Sequence, residues 1–258
     1  MRILFTGFCR PGNTTYSRLV ALKELGHEVY CLDQALYFDR YLKIVQKIQH
    51  HLLAGPGIGE LNRAVVALAR ECKPDIIFFD MGLLLWHDTI EKLKTTGALL
   101  VHYTSEFFGF RSYLYRHFLR SIALYHVHVI TNELILPKLR ENGAKKVVLT
   151  EFGYDPVYQC PDQGSQEVEK DYRSDAVFIG HWEPTTQRNI EGLINAKVDV
   201  SVWGSHWRWR ALKMKGNHMI RPIEREDYPK MIASSKIGLG FLSKWNKNQS
   251  AGRIFEIP

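Results

Sequence analysis

"RILFTGFCRPGNTTYSRLVALKELGHEVYCLD", residues 2–33, holds the pattern that decides the fold. RILFTGF is a short apolar strand that runs into a glycine turn at Gly7. The next stretch places Leu19, Leu22 and Leu25 at helical spacing, with Asn13 or Thr14 to cap its start and Gly26 to end it. EVYCLD is a second strand. Strand, helix and strand in succession form a β-α-β unit, and such units build parallel sheets with right-handed crossovers.

The alternation continues outward from there. Residues 38–53 read as a helix in which Tyr41, Val45, Ile48 and Leu52 share one face, with Lys43, Lys47 and His50 elsewhere. AGPGIG interrupts it, and residues 60–71 are helical again. KPDIIFFD is a strand, HDTIEKLKTTG a helix, ALLVHYTSE a strand, HVHVITN a strand, ELILPKLRENGA a helix and KVVLTEFGYDP a last strand and turn. Residues 158–175 are polar and aperiodic, as a linker is. The alternation then restarts with AVFIG, RNIEGLINA, VDVSVWG, EDYPKMIASS and KIGLGFLS. Two such blocks predict an α/β protein of two Rossmann-like, doubly wound domains, residues 1–157 and 176–258, with a cleft between them.

The totals are compatible with this. The chain has 258 residues, 45% hydrophobic and 24% charged, which is globular composition. Lys plus Arg exceed Asp plus Glu by 34 to 27, a formal charge of +7. A modest excess of this kind serves solubility or an anionic partner such as a nucleotide, a phosphorylated substrate or a membrane surface. No basic run suggests a nucleic-acid arm. The four cysteines, Cys9, Cys31, Cys72 and Cys160, form no C-x-x-C pair and so predict neither zinc nor dithiol chemistry. Free thiols and the absence of a signal peptide or a long apolar run predict a cytoplasmic protein.

Candidate functional residues fall at strand ends. GFCRPGNT has the glycine spacing of a phosphate loop at Gly7 and Gly12, but Asn13 replaces the lysine such loops use, which argues against a kinase or ATPase. A plain strand-to-helix turn explains it equally well. Asp80 ends one strand, and His102 and Glu106 end another; each is a candidate base, and each has an ordinary structural explanation. FIGHWEPTTQRN places Gly180 in a turn and Arg188 at a predicted helix start, where amide groups and a guanidinium could hold an anion. VWGSHWRW brings Trp203, Gly204 and two further tryptophans after a strand, for base stacking or for core packing. SAGRIFEIP, at residues 250–258, sets Arg253 and Glu256 three apart on one predicted helix face. The arginine suits a diphosphate and the carboxylate two ribose hydroxyls; the plain alternative is an intrahelical ion pair.

Taken together, MRILFTG, KPDIIFFD, VVLTEFGYDP, AVFIGHWEPTTQRN, VSVWGSHW, SKIGLGF and SAGRIFEIP resemble the GT-B glycosyltransferases, and among them the spore-maturation (CgeB-like) branch. The resemblance implies a metal-independent transfer of sugar from a nucleotide-diphosphate sugar, needing no cofactor, to a glycan, lipid-linked or protein acceptor. It puts Gly180, Arg188, Trp203, Gly204, Arg253 and Glu256 at the donor, Gly7, Gly12 and Asn13 on the acceptor side, and Glu106, His102 or Asp80 as the base of an inverting route. It also implies that the second domain is incomplete, the family running on beyond residue 258. Two other classes remain in play: a sugar-nucleotide-binding protein without catalysis, and a nucleotide-cofactor oxidoreductase. The segments 107–125 and 41–52 read as amphipathic core helices, with a peripheral contact to the inner membrane face as the alternative.

Overall fold

The computed structural model describes residues 1–11, 13–105, 115–156, 173–204, 207, 220–221 and 228–243. The chain divides into two compact units, Met1–Glu151 and Phe152–Pro258. All but the last three residues of the expected linker lie outside the described residues.

Unit 1 opens with β1 (Arg2–Gly7), α1 (Thr14–Glu24) and β2 (Glu28–Asp33). Then come α2 (Lys43–Leu52), α3 (Pro56–Cys72), β3 (Ile76–Asp80), α4 (His87–Lys94) and β4 (Leu99–Thr104). It ends with α5 (Arg116–Ser121), β5 (Val127–Ile130), α6 (Leu136–Glu141) and β6 (Val147–Leu149). The six strands are all parallel in the order β2-β1-β3-β4-β5-β6. The central strands β1, β3 and β4 are covered on two faces, so their successive residues go to opposite cores, while the edge strands β2 and β6 are partly exposed. Leu4, Ile77, Phe79 and Leu100 pack with Ile58, Leu61 and Val65 of α3 on one face. Phe5 packs with Leu19 and Tyr16 of α1 on the other, its ring stacked on Phe78 at 5.3 Å.

Unit 2 contains β7 (Ser174–Ile179), α7 (Pro184–Asn195), β8 (Val200–Trp203), β9 (Ile220–Arg221), α8 (Tyr228–Ala233) and β10 (Ser235–Leu239). These four strands are parallel in the order β10-β7-β8-β9. Ala176, Phe178, Val200 and Val202 pack against Ile190 of α7. Val177, Ile179 and Trp203 pack against Met231 of α8 on the opposite face. Both units are therefore doubly wound, as expected. The two-residue strand β9 had no sequence signal.

Three local expectations differ from the structure. Asn13 occupies the cap position of α1 through its backbone, but its side-chain amide donates to Phe8 O at 3.2 Å and makes no cap bond. Helix α7 begins at Pro184, which favours a first turn, so Arg188 lies a full turn inside the helix. Helix α2 is rolled by about one residue from the expected face: Val45 is half-buried and Gln49 buried, while Ile48 and Leu52 are exposed. Gln49 Oε1 accepts from Gly57 N at 2.8 Å, capping the first turn of α3, and this bond decides which face turns inward.

Candidate functional site

In an open parallel sheet, ligands bind beyond the carboxyl ends of the strands where the strand order reverses. In unit 1 that point lies between β1 and β3, at Gly7 and Asp80. A Cβ on Gly7 would come within 2.7 Å of Thr15 Cγ2 and 2.9 Å of Asp80 Cβ, so glycine is needed there for α1 and β3 to approach. Asp80 is 3% exposed, and Arg18 Nε donates to its Oδ2 at 2.7 Å. The same guanidinium lies over the Tyr103 ring, 4.3 Å from its centroid. Burial raises the Tyr103 phenol above its ordinary pKa, with Arg18 acting in the opposite sense. Asp33, at the end of β2, accepts from Cys9 N and Ala35 N, both at 3.0 Å, and so fixes the loop after β1. The Cys9 thiol is raised by a hydrogen bond with Cys31 and by burial. Cys9, Cys31 and Cys72 are free thiols.

His102 belongs to the core. It has no exposed surface, its Nε2 lies 3.1 Å from Met81 O, and its Nδ1 lies 3.2 Å from Nδ1 of His128. Phe118 and Tyr125 pack against its ring. Burial holds it neutral, well below the usual histidine range, with His128 adding to the effect. The expectation of a base at the strand end gives way to a packing role, because the side chain of β4 alternates inward at this residue. Glu106 lies outside the described residues, as does Gly12.

In unit 2 the reversal falls between β7 and β10, where the chain leaves β7 at Ile179 and β10 at Leu239. Gly180 and Gly204 meet backbone to backbone on the other side of β7, beyond the ends of β7 and β8. Gly180 N donates to Trp203 O at 2.9 Å, and a Cβ on Gly204, at φ 125, would lie 2.3 Å from Gly180 O. Trp207 Nε1 donates to Gly180 O at 2.8 Å. Trp203 is buried against Val177, Ile179 and Met231, which makes it a core residue. Arg188 is exposed and reaches back along α7, its Nε 3.4 Å from Pro184 O, toward the amino end of the helix. Arg253 and Glu256 lie outside the described residues.

Two residues here carried no sequence expectation. Glu183, 7% exposed at the start of α7, accepts from Ser243 Oγ at 2.6 Å and ties the loop after β7 to the segment after β10. Trp182 Nε1 donates to Gln187 Oε1 at 2.6 Å, and Gln187 Nε2 donates to Glu191 Oε1 at 2.7 Å, which braces the first turns of α7. An acid directly before a proline that can head a helix is the signal that would have marked Glu183. Among the described residues no three His, Cys, Asp or Glu side chains gather as a metal ion would require. No described helix is long and apolar enough to cross a membrane.

No protein-family model matches the chain, and no curated protein matches it in sequence. Solved structures do match in fold. A trehalose-6-phosphate synthase studied with bisubstrate glycomimetics matches over 92% of this chain and 77% of its own, with 10% identity and a TM-score of 0.59. HepE from Anabaena, in complex with UDP-glucose, matches over 92% and 73%, with 12% identity and a TM-score of 0.58. The UDP-GlcNAc 2-epimerase from Methanocaldococcus jannaschii matches over 92% and 77%, with 10% identity and a TM-score of 0.53. At such identities the likeness speaks for the fold, two Rossmann-like domains of the GT-B kind.

Proposed function

We propose that this chain is a glycosyltransferase of the spore-maturation type that takes its sugar from a nucleotide-diphosphate sugar without a metal ion. The observation that carries the reading is the succession of two all-parallel, doubly wound sheets, each with a glycine at the carboxyl end of its first strand. HepE, with UDP-glucose bound, has the same fold. The donor would bind unit 2, beyond the ends of β7 and β10.

The barrier in such a transfer is departure of the nucleoside diphosphate, because negative charge grows on the β-phosphate. Fixed donors and cations aimed at that charge lower the barrier. Arg188 would supply one guanidinium, held near the amino end of α7 where the helix dipole adds positive potential. Arg253 would supply a second, and Glu256 would accept from the ribose hydroxyls. An inverting route would take its base from Glu106 or Asp80. Asp80 could serve only by exchanging Arg18 for the acceptor hydroxyl.

Calorimetric titration with UDP, GDP and NAD tests the binding half. One nucleoside diphosphate should bind where NAD does not, and Arg188→Ala should weaken it about tenfold or more, as loss of a charged hydrogen bond does. Tight NAD binding would sink the proposal in favour of an oxidoreductase. Release of nucleoside diphosphate from a sugar nucleotide tests the catalytic half; its absence with every donor leaves a binding protein.

One second reading has an observation behind it, the likeness to a UDP-GlcNAc 2-epimerase. It requires conversion of UDP-N-acetylglucosamine to its 2-epimer with no acceptor present, which proton NMR of the sugar would report.

A further inference from the structure

Helix α2 wears its apolar row on the outside. Ile44, Ile48 and Leu52 recur at every fourth residue and are 62%, 50% and 47% exposed. Leu42, just before the helix, is 75% exposed. A second row, Lys43, Lys47 and His51, precedes the first by one residue and follows the same four-residue step. Successive residues on a helix are about 100° apart, so the two rows run side by side.

The charge around these rows is of one sign. Residues 40–59 contain no Asp or Glu. The acids that flank them, Asp39 and Glu60, are bonded to Arg10 and Arg40. The helix is also fastened to the body beneath it. Gln49 bonds Gly57 N at 2.8 Å, the rings of Phe38 and His50 meet edge to face at 4.4 Å, and Trp86 Nε1 donates to the carbonyl of buried Leu53 at 2.8 Å. A force on α2 is thus passed to the whole of unit 1.

We propose that α2 docks this chain on an anionic lipid bilayer, with Ile44, Ile48 and Leu52 entering the acyl boundary and Lys43 and Lys47 reaching the headgroup phosphates. An interfacial helix needs an apolar row beside cations whose long stems can lift the charge to the headgroup level, and α2 has both. The charge pattern selects this occupant over a second copy of the chain. A two-fold contact through α2 would bring one lysine row against another, a like-charge meeting that no acid within residues 40–59 offsets. The inference does not depend on the sugar-transfer reading.

Co-sedimentation of the full chain with vesicles tests it. Vesicles of phosphatidylcholine with about one third phosphatidylglycerol, in about 0.1 M salt, should carry the protein down. Pure phosphatidylcholine should bind at least about tenfold more weakly. The double variants Ile44→Asn with Ile48→Asn, and Lys43→Gln with Lys47→Gln, should each lose about tenfold or more while keeping the melting temperature, since all four side chains are at the surface. Unchanged binding in the isoleucine variant would overturn the proposal, leaving only adsorption through the +7 net charge. Absence of vesicle binding would overturn it too, including the case in which the protein instead dimerises or pairs with an acidic protein through α2.

Discussion

Both sheets reverse their strand order beside their first strand, but the carboxyl end of that strand is packed with different materials in the two units. In unit 1 the gap beyond β1 and β3 is filled by side chains: Arg18 bonds the buried Asp80 and stacks on Tyr103. In unit 2 the tight contact at the end of β7 is main chain, with Gly204, which follows β8, pressed against the carbonyl of Gly180, while Glu183 and Ser243 bridge from β7 to β10. Side chains can be traded for a ligand's groups by rotation about single bonds. A backbone contact cannot, so it presents a surface of fixed shape.

The sharpest way to break the comparison is at Gly204. With φ at 125 and a Cβ 2.3 Å from a backbone oxygen, Gly204→Ala meets both strain and a clash that no rotamer relieves. We expect a loss of about 3 kcal/mol or more. Gly97 is the matched control in unit 1: its φ is 82, but a Cβ there would meet nothing within 4 Å. Gly97→Ala should cost only the left-handed penalty of about 1–2 kcal/mol. Urea denaturation of both variants measures the difference. Equal losses would mean that the Gly180–Gly204 contact is loose and that unit 2 has no fixed backbone surface there.

The next effect tests the side-chain closure of unit 1. Arg18→Ala would leave the Asp80 carboxylate buried and unpaired, and breaking such a pair from the arginine side should cost about 3 kcal/mol. The lower end of the usual range applies because the Arg18 side chain is 27% exposed and water can enter its place. Asp80→Asn should cost less, about 1 kcal/mol, since the guanidinium left behind is partly solvated. The asymmetry, read from denaturation midpoints, is the expected result. Equal losses would show that Asp80 is hydrated rather than buried, and so as open to an acceptor as a strand-end base would be.

The legibility of the two regions in sequence follows the same division. Every strand but β9 was readable because a parallel sheet covered on both faces demands continuous apolar runs, as in RILF, IIFF and AVFI. Gly7, Gly180 and Gly204 could be marked because turns at strand ends favour glycine, and each is packed too closely for a Cβ, Gly7 and Gly180 against side chains and Gly204 against backbone. The partners were not readable. Arg18 is 62 residues from Asp80, and nothing local distinguishes it from the other arginines. Glu183 meets Ser243 only because β7 and β10 are neighbours, a pairing that topology decides. Helix α2 misled for a related reason. Its apolar spacing was correct, but a single polar side chain, Gln49, bonded to the start of α3, sets which side faces inward. Periodicity locates a stripe and says nothing of what will cover it.

A last expected effect separates the units by pH. Unit 1 buries His102 and His128 side by side, while unit 2 buries no histidine among its described residues. The pair is short of protons. His102 Nε2 faces Met81 O at 3.1 Å, His128 Nε2 faces Ile122 O at 3.0 Å, and the two Nδ1 atoms face each other at 3.2 Å. Two neutral imidazoles supply two N–H donors for these three contacts. A third proton would make one ring a buried cation, and burial lowers the pKa of both. In the unfolded chain each would titrate near 6.5. The stability the neutral pair contributes is therefore complete above pH 6.5 and declines as the pH falls below it, because the unfolded chain then takes up protons that the folded one refuses. The slope approaches about 1.4 kcal/mol per pH unit for each histidine. Hydrogen exchange between neutral pH and about pH 5, above the range where carboxylates titrate, should show β4 and β5 losing protection while β7 and β8 keep theirs. His102→Phe, which preserves the ring contacts with Phe118 and Tyr125, should reduce the pH dependence in β4 and β5 without abolishing it, since burial also lowers the pKa of His128, His50 and His117. Equal acid sensitivity in both units would mean that the histidine pair is not sealed and that the two sheets differ less than their strand ends suggest.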